Sequence, residues 1–223
     1  MRLRRRTGLI LALDVTDEGR AVQVARQAAE HLDAVKVNYP LVLGAGPQII
    51  GRLAEASGVP VIADFKVADV PHTNYAIARR AFELGACGVI CQPFCGPDSV
   101  DACARAAREA GADLYLVVAM SHPGARRFFT PRLDDFATLA REVGAQGVVA
   151  PATRTEEIRR VRELLPRMAI LAPGVGAQGG DARAAREAGA DFLIVGRAVY
   201  EAADPASAAL ELVEEAGRET AGR

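Results

Sequence analysis

Short apolar runs rich in β-forming residues alternate along the chain with longer stretches in which Ala, Arg and Glu recur at helical spacing. That alternation is the pattern of repeated βαβ units, which lay their strands side by side in a parallel sheet. The predicted strands cover residues 9–14, 33–38, 60–65, 87–91, 113–119, 146–150, 168–172 and 191–195, eight in all. A second signal recurs between them: Leu84-Gly85-Ala86-Cys87, Ala110-Gly111-Ala112-Asp113, Val143-Gly144-Ala145-Gln146 and Ala188-Gly189-Ala190-Asp191. Each reads as a helix ended by a left-handed glycine and followed by a tight entry into the next strand. Eight such units favour a TIM (β/α)8 barrel over an open doubly wound sheet, as one domain spanning residues 1–223.

Where the unusual residues fall agrees with a barrel. Asp14, Lys36, Asp64, Lys66, Ser121, Pro173 and Arg197 all lie at the predicted C-terminal ends of strands or just beyond, which is where barrels keep their chemistry. Composition narrows the choices further. With 223 residues, 50% of them hydrophobic, the chain can bury one sizeable core. Its 27 basic and 28 acidic residues leave no overall field to attract nucleic acid or an anionic membrane. No apolar run approaches the roughly 18 residues of a membrane span. The basic start Met1-Arg2-Leu3-Arg4-Arg5-Arg6 leads into a strand, not a signal peptide, and reads as a solvated tail. Cys87, Cys91, Cys95 and Cys103 lack paired zinc spacing and are expected to be reduced, packed thiols of a cytoplasmic protein.

The third strand carries the sharpest chemistry. In Val61-Ile62-Ala63-Asp64-Phe65-Lys66-Val67-Ala68-Asp69, Asp64 and Lys66 are two residues apart, so strand alternation puts them on one face. Lys36, ending the preceding strand, adds a second cation beside Asp64, and Asp69 is expected to add an anion beside Lys66. The result is an alternating array Lys36, Asp64, Lys66, Asp69. Such an array can simply stabilise a barrel rim, but lysines among the carboxylates disfavour a divalent metal, and an ammonium held between carboxylates suits proton delivery to a carbanion.

Two later segments suggest an anion site. Pro173-Gly174-Val175-Gly176-Ala177-Gln178-Gly179-Gly180-Asp181 offers backbone N–H groups ahead of a helix, and Ile194-Val195-Gly196-Arg197 brings a backbone donor and a guanidinium to the next loop. Loops seven and eight are the usual phosphate site of this fold. Met120-Ser121-His122-Pro123-Gly124-Ala125-Arg126-Arg127 can cover a ligand, although Arg126 and Arg127 also fit a plain surface loop. His31, His72 and His122 are not spaced as metal ligands.

Asp64-Phe65-Lys66-Val67-Ala68-Asp69-Val70-Pro71 with Thr73 resembles the signature of the orotidine 5′-monophosphate decarboxylases. Leu11-Ala12-Leu13-Asp14, Val35-Lys36-Val37, Met120-Ser121-His122-Pro123-Gly124, Pro173 to Gly180 and Val195-Gly196-Arg197 follow in that family's order and spacing. The resemblance implies loss of CO₂ from orotidine 5′-monophosphate to give uridine 5′-monophosphate, the last step of pyrimidine nucleotide synthesis, with no metal or organic cofactor. It implies that Asp64 lies against the substrate carboxylate, that Lys66 protonates the vinylic carbon, and that Lys36 orients Asp64 and touches the ribose. Asp14 would bind ribose hydroxyls, Ser121 the pyrimidine edge, Gln178 base and phosphate, and Gly196 with Arg197 the phosphate, with Val70 and Pro173 as further substrate contacts. Asp69 and Thr73 would enter the neighbouring subunit's site, which implies a homodimer. Gln92 stands where the family has histidine. Two alternatives are magnesium-dependent sugar-phosphate enzymes of the same superfamily, which share D-x-K-x-x-D, and a non-catalytic nucleotide-binding barrel. The Val70-Pro71-x-Thr73 continuation and the glycine loop favour the decarboxylase over the first, and Lys66 beside carboxylates favours it over the second.

Overall fold

Eight apolar runs pair in parallel, each with the next, and the last returns to the first: β1 (Leu9–Leu13), β2 (Ala34–Val37), β3 (Val61–Val67), β4 (Gly88–Cys91), β5 (Asp113–Val117), β6 (Gly147–Val149), β7 (Ala169–Pro173) and β8 (Phe192–Val195) close into a barrel in chain order. The coordinates are a computed structural model and describe residues 2–217. The predicted domain span of 1–223 and the basic start therefore include residues, Met1 and 218–223, that lie outside the described ones. Helices cover the outside and side chains fill the inside, so most strands are buried on both faces and read as nearly continuous apolar runs.

The repeated glycine signal does what its sequence suggests. Gly85, Gly111, Gly144 and Gly189 all have positive φ, between 63° and 112°. In each case the following N–H reaches back to a carbonyl five residues earlier, as Ala86 to Ala81 and Ala190 to Ala185, which satisfies the helix end and turns the chain into the next strand. Inside the barrel, Tyr115 lies over a glycine on each flanking strand: a Cβ at Gly88 would come within 2.5 Å of its ring and one at Gly147 within 3.0 Å. Its hydroxyl donates to Asp113 at 3.1 Å, so the ring is buried without an unpaired polar tip.

The end of the barrel opposite the strand C-termini is tied by charge. The buried Asp33 carboxylate accepts from the backbone N–H groups of Arg6, Thr7 and Gly8, and Arg186 donates to the Thr7 and Gly8 carbonyls. Arg2 donates to the Gly111 carbonyl and Arg6 to that of Leu32. The basic start is solvated as expected, since Arg2, Arg4, Arg5 and Arg6 are all exposed, and two of its guanidinium groups also find carbonyls that end helices on that face. Cys87, Cys91 and Cys103 are free, buried thiols, and Cys95 is a free, exposed one. Burial, with Asp113 nearby, pushes the Cys87 pKa up to about 12, so it behaves as a packed thiol. No helix among the described residues is long and apolar enough to cross a membrane.

Candidate active site

Strand pairing sets Lys36 on β2 beside Ile62 on β3, so Asp64 stands one inward-facing step further toward the mouth. The Lys36 stem rises along the wall and its ammonium meets Asp64 Oδ2 at 2.8 Å. Lys66 Nζ meets the other oxygen, Oδ1, also at 2.8 Å. Asp14, just past β1, stands 3.9 Å from Lys36 Nζ. Burial is the largest influence on Asp64 and acts to raise its pKa, but the charges and hydrogen bonds of Lys36 and Lys66 outweigh it and hold the carboxyl below the ordinary aspartate range. Asp64 and Lys36 are 6% and 5% exposed, so both charges are desolvated and depend on each other.

Lys66 reaches Asp64 by a route that differs from simple alternation. Ala63 pairs with Val89 and Val67 with Cys91, so β3 takes four steps where β4 takes two. Within that kink Lys66 has φ of 42°, the one positive value among the described non-glycine residues. Such a conformation costs about 1–3 kcal/mol and is retained where the surroundings enforce it. The kink also alters the fate of Asp69. Among the described contacts it forms no ion pair with Lys66, which corrects the four-membered array expected within one chain. Beyond Val67 the chain turns outward. The Asp69 N–H donates to Asn74 Oδ1 at 2.8 Å, while its carboxylate accepts from Val70 N–H at 2.6 Å, where the helix Pro71–Glu83 begins.

The mouth holds a cavity of about 260 Å³. Of the sequence-predicted residues, Asp14, Lys36, Asp64, Lys66, Ser121, Pro173, Gln178, Gly196 and Arg197 line it, whereas Asp69, Val70 and Thr73 do not. Ile90, Val117, Val149 and Ile194 make the floor apolar, so a flat ring can lie on them with its polar edge toward the loops. Three loops already touch. Ser121 Oγ donates to Gln178 Oε1 at 3.0 Å, and Arg197 donates to the Ala177 carbonyl at 3.4 Å. The glycine loop spends more of its N–H groups on itself than its sequence suggests: Gly176 donates to Gly180, Gly179 to Gly176 and Gly180 to Gly174, which leaves the N–H groups of Ala177 and Gln178 outside that ladder.

Several residues of the site are missing from the sequence reading. Asn38 and Tyr200 line the cavity, and the Asn38 Oδ1 is buried without a partner among the described atoms. Arg154 lies in an ordinary helix start, yet it is buried with Glu157, pairs with it at 3.2 Å and donates to the His122 carbonyl at 3.0 Å and that of Ser121 at 3.4 Å. It therefore anchors the loop that carries Ser121. Alternation places Asn38 two residues after Lys36, so its position was open to inference; nothing local marks Arg154. Gln92, at the position where the resemblance leads one to expect histidine, contacts the Met120 sulfur at 3.8 Å and so bears on the loop after β5. His122, Arg126 and Arg127 are exposed, as a surface segment requires.

A closed β/α barrel with a buried lysine–carboxylate–lysine array in a cavity at the C-terminal ends of its strands has the architecture of a barrel enzyme. The family described as orotidine 5′-phosphate decarboxylase / HUMPS matches residues 7–212, and the chain belongs to it. The orotidine 5′-phosphate decarboxylase of Methanococcoides burtonii is 48% identical over 214 residues, 96% of this chain and 99% of the relative. That of Pyrococcus abyssi is 48% identical over 208 residues, 93% of this chain and 98% of the relative. Among solved structures, the orotidine 5′-monophosphate decarboxylase of Methanocaldococcus jannaschii complexed with the inhibitor BMP matches with a TM-score of 0.91 at 38% identity, covering 95% of this chain and 99% of that one. The Pyrococcus horikoshii enzyme matches with a TM-score of 0.86 at 47% identity, covering 93% and 98%.

Proposed function

We infer that this chain is a carboxy-lyase that converts orotidine 5′-monophosphate to uridine 5′-monophosphate and CO₂. The observation that carries the reading, beside family membership, is the Lys36–Asp64–Lys66 array on the cavity wall. A substrate carboxylate set against Asp64 is repelled in the ground state. As the C–C bond breaks, its charge moves onto the ring carbon beside Lys66, where the ammonium stabilises it and then supplies the proton. Lys36 holds Asp64 and contacts the ribose, whose hydroxyls Asp14 also binds. Ser121 reads the pyrimidine edge, Pro173 packs against the ligand, and Gln178, Gly196 and Arg197 take the phosphate at the loops after β7 and β8. A magnesium-dependent sugar-phosphate reaction is less well supported, because both Asp64 oxygens are committed to ammonium groups. Purified protein treated with excess chelator is expected to deplete orotidine 5′-monophosphate absorbance at an undiminished rate. No depletion would overturn the assignment.

The working unit in this reading is a homodimer. Asp69, Val70 and Thr73 lie outside their own chain's cavity, and the 50% exposed Val70 side chain gives that rim an apolar surface. Asp69 and Thr73 would then complete the site of the partner subunit, with Val70 beside the same substrate. Mixing inactive Lys66→Ala and Asp69→Ala proteins under conditions of subunit exchange is expected to restore about a quarter of the wild-type activity, since a two-fold assembly then rebuilds one intact site in each mixed dimer. If activity stays at the level of the separate variants, Asp69 acts within its own chain or not at all.

A further inference from the structure

Lys66 sits in a disfavoured backbone conformation, φ 42°, in the middle of the β3 kink. Two fastenings bracket it. On one side the Val67 carbonyl accepts from the N–H of Gln92, just past the end of the neighbouring strand, at 3.0 Å. On the other, the Phe65 carbonyl, part of the peptide that joins Phe65 to Lys66, accepts from the Tyr39 hydroxyl at 2.7 Å. The Tyr39 ring also stacks on that of Phe65, with centroids 5.4 Å apart and planes within 17°. Among the described residues this is the one side-chain hydrogen bond onto the backbone of residues 65–67.

Tyr39 is well placed to hold that peptide. It opens the helix Tyr39–Ala45, three residues beyond Lys36, so it connects the segment carrying one lysine of the array to the segment carrying the other. It does not line the cavity, and it is 50% exposed, so it adds little to the core. Burial, with the Asp64 carboxylate nearby, pushes its pKa up, which keeps the hydroxyl a donor.

We propose that Tyr39 is a positioning residue for the decarboxylation, holding the Phe65–Lys66 peptide so that the Lys66 ammonium stands over Asp64. The proposal rests on the reading of Lys66 as proton donor. Its function would be expressed in turnover and not in ligand affinity, because Tyr39 holds the peptide that leads into Lys66, the residue acting at the reacting carbon, and hydrogen-bonds none of the groups assigned to phosphate or ribose.

Tyr39→Phe keeps the stacked ring and removes only the hydroxyl. Its kcat is expected to fall about tenfold, the size of one lost hydrogen bond felt in the transition state, with KM and affinity for uridine 5′-monophosphate within about twofold of wild type. A kcat within about twofold of wild type overturns the proposal. So does a fall in kcat matched by an equal loss of product affinity, the sign of a mouth that has loosened generally. Lys66→Ala, assayed in parallel, separates the two ideas. If it stays active, the reading of Lys66 fails and this proposal with it; if it is inactive while Tyr39→Phe turns over normally, only the role of Tyr39 fails.

Discussion

Lys66→Ala is expected to lower turnover of orotidine 5′-monophosphate by about four orders of magnitude, the upper range for removal of a positioned general acid. The loss should be confined to chemistry. Asp64 keeps its 2.8 Å partner Lys36, and the Lys66 side chain is partly exposed, so the fold retains its buried pair and water can reach the vacated oxygen. Truncation at residue 66 also relieves none of the backbone kink. Binding of uridine 5′-monophosphate should therefore remain measurable by calorimetry, while single-turnover assays at high enzyme concentration show almost no CO₂ release. Turnover within about tenfold of wild type would remove Lys66 from the proton-transfer step, since one misplaced hydrogen bond accounts for a loss of that size.

Asp64→Asn is expected to reduce kcat by about a thousandfold, the upper range for losing one preorganised electrostatic group, and in addition to change how stability depends on pH. The amide keeps the shape of the carboxylate but takes from Lys36, 5% exposed, its 2.8 Å counter-charge and leaves it only the more distant and more exposed Asp14, 3.9 Å away. Removing one member of a buried pair costs on the order of 3 kcal/mol. The sign of the pH effect follows from the pKa. Because the folded carboxyl titrates below the ordinary aspartate value of 3.8, its contribution is fully present above that value and is lost as pH falls through the lower, folded one. The stability difference between wild type and Asp64→Asn, measured by denaturant unfolding, should be flat above about pH 5 and narrow below about pH 4. A difference that stays constant through the acid range would show that the lysines do not hold this carboxyl ionised.

All eight strands were legible because each is a short apolar run closed by a turn signal, and their ends shift by a residue or two where the next polar side chain already faces the mouth, as Asp14 does beyond β1. The lining residues at strand ends could be found for the same reason: inward-facing positions recur every second residue, and a charge at such a position has few places to go but the mouth. What alternation cannot convey is where it breaks. The kink in β3 is a matter of its register with β4, and Tyr39 bonds to the backbone within it, both remote in sequence, so alternation puts Lys66 beside Asp64 by a geometry the strand does not take and gives Asp69 a neighbour it lacks in its own chain. The internal ladder of the glycine loop and the Arg154 anchor were hidden for a related cause. Each depends on contacts that a local sequence window does not contain.

The closing pair of the barrel joins the first strand to the last: Leu9 to Leu193, Ile10 to Ile194 and Leu11 to Val195. Asp14 stands just past one side of that junction, and Gly196 with Arg197 just past the other. In the proposed binding mode, a nucleotide held by its sugar on one side and its phosphate on the other would bridge the junction of the first and last strands. Occupancy would then act as a clasp on the ring, coupling separation of the first strand from the last to release of the ligand.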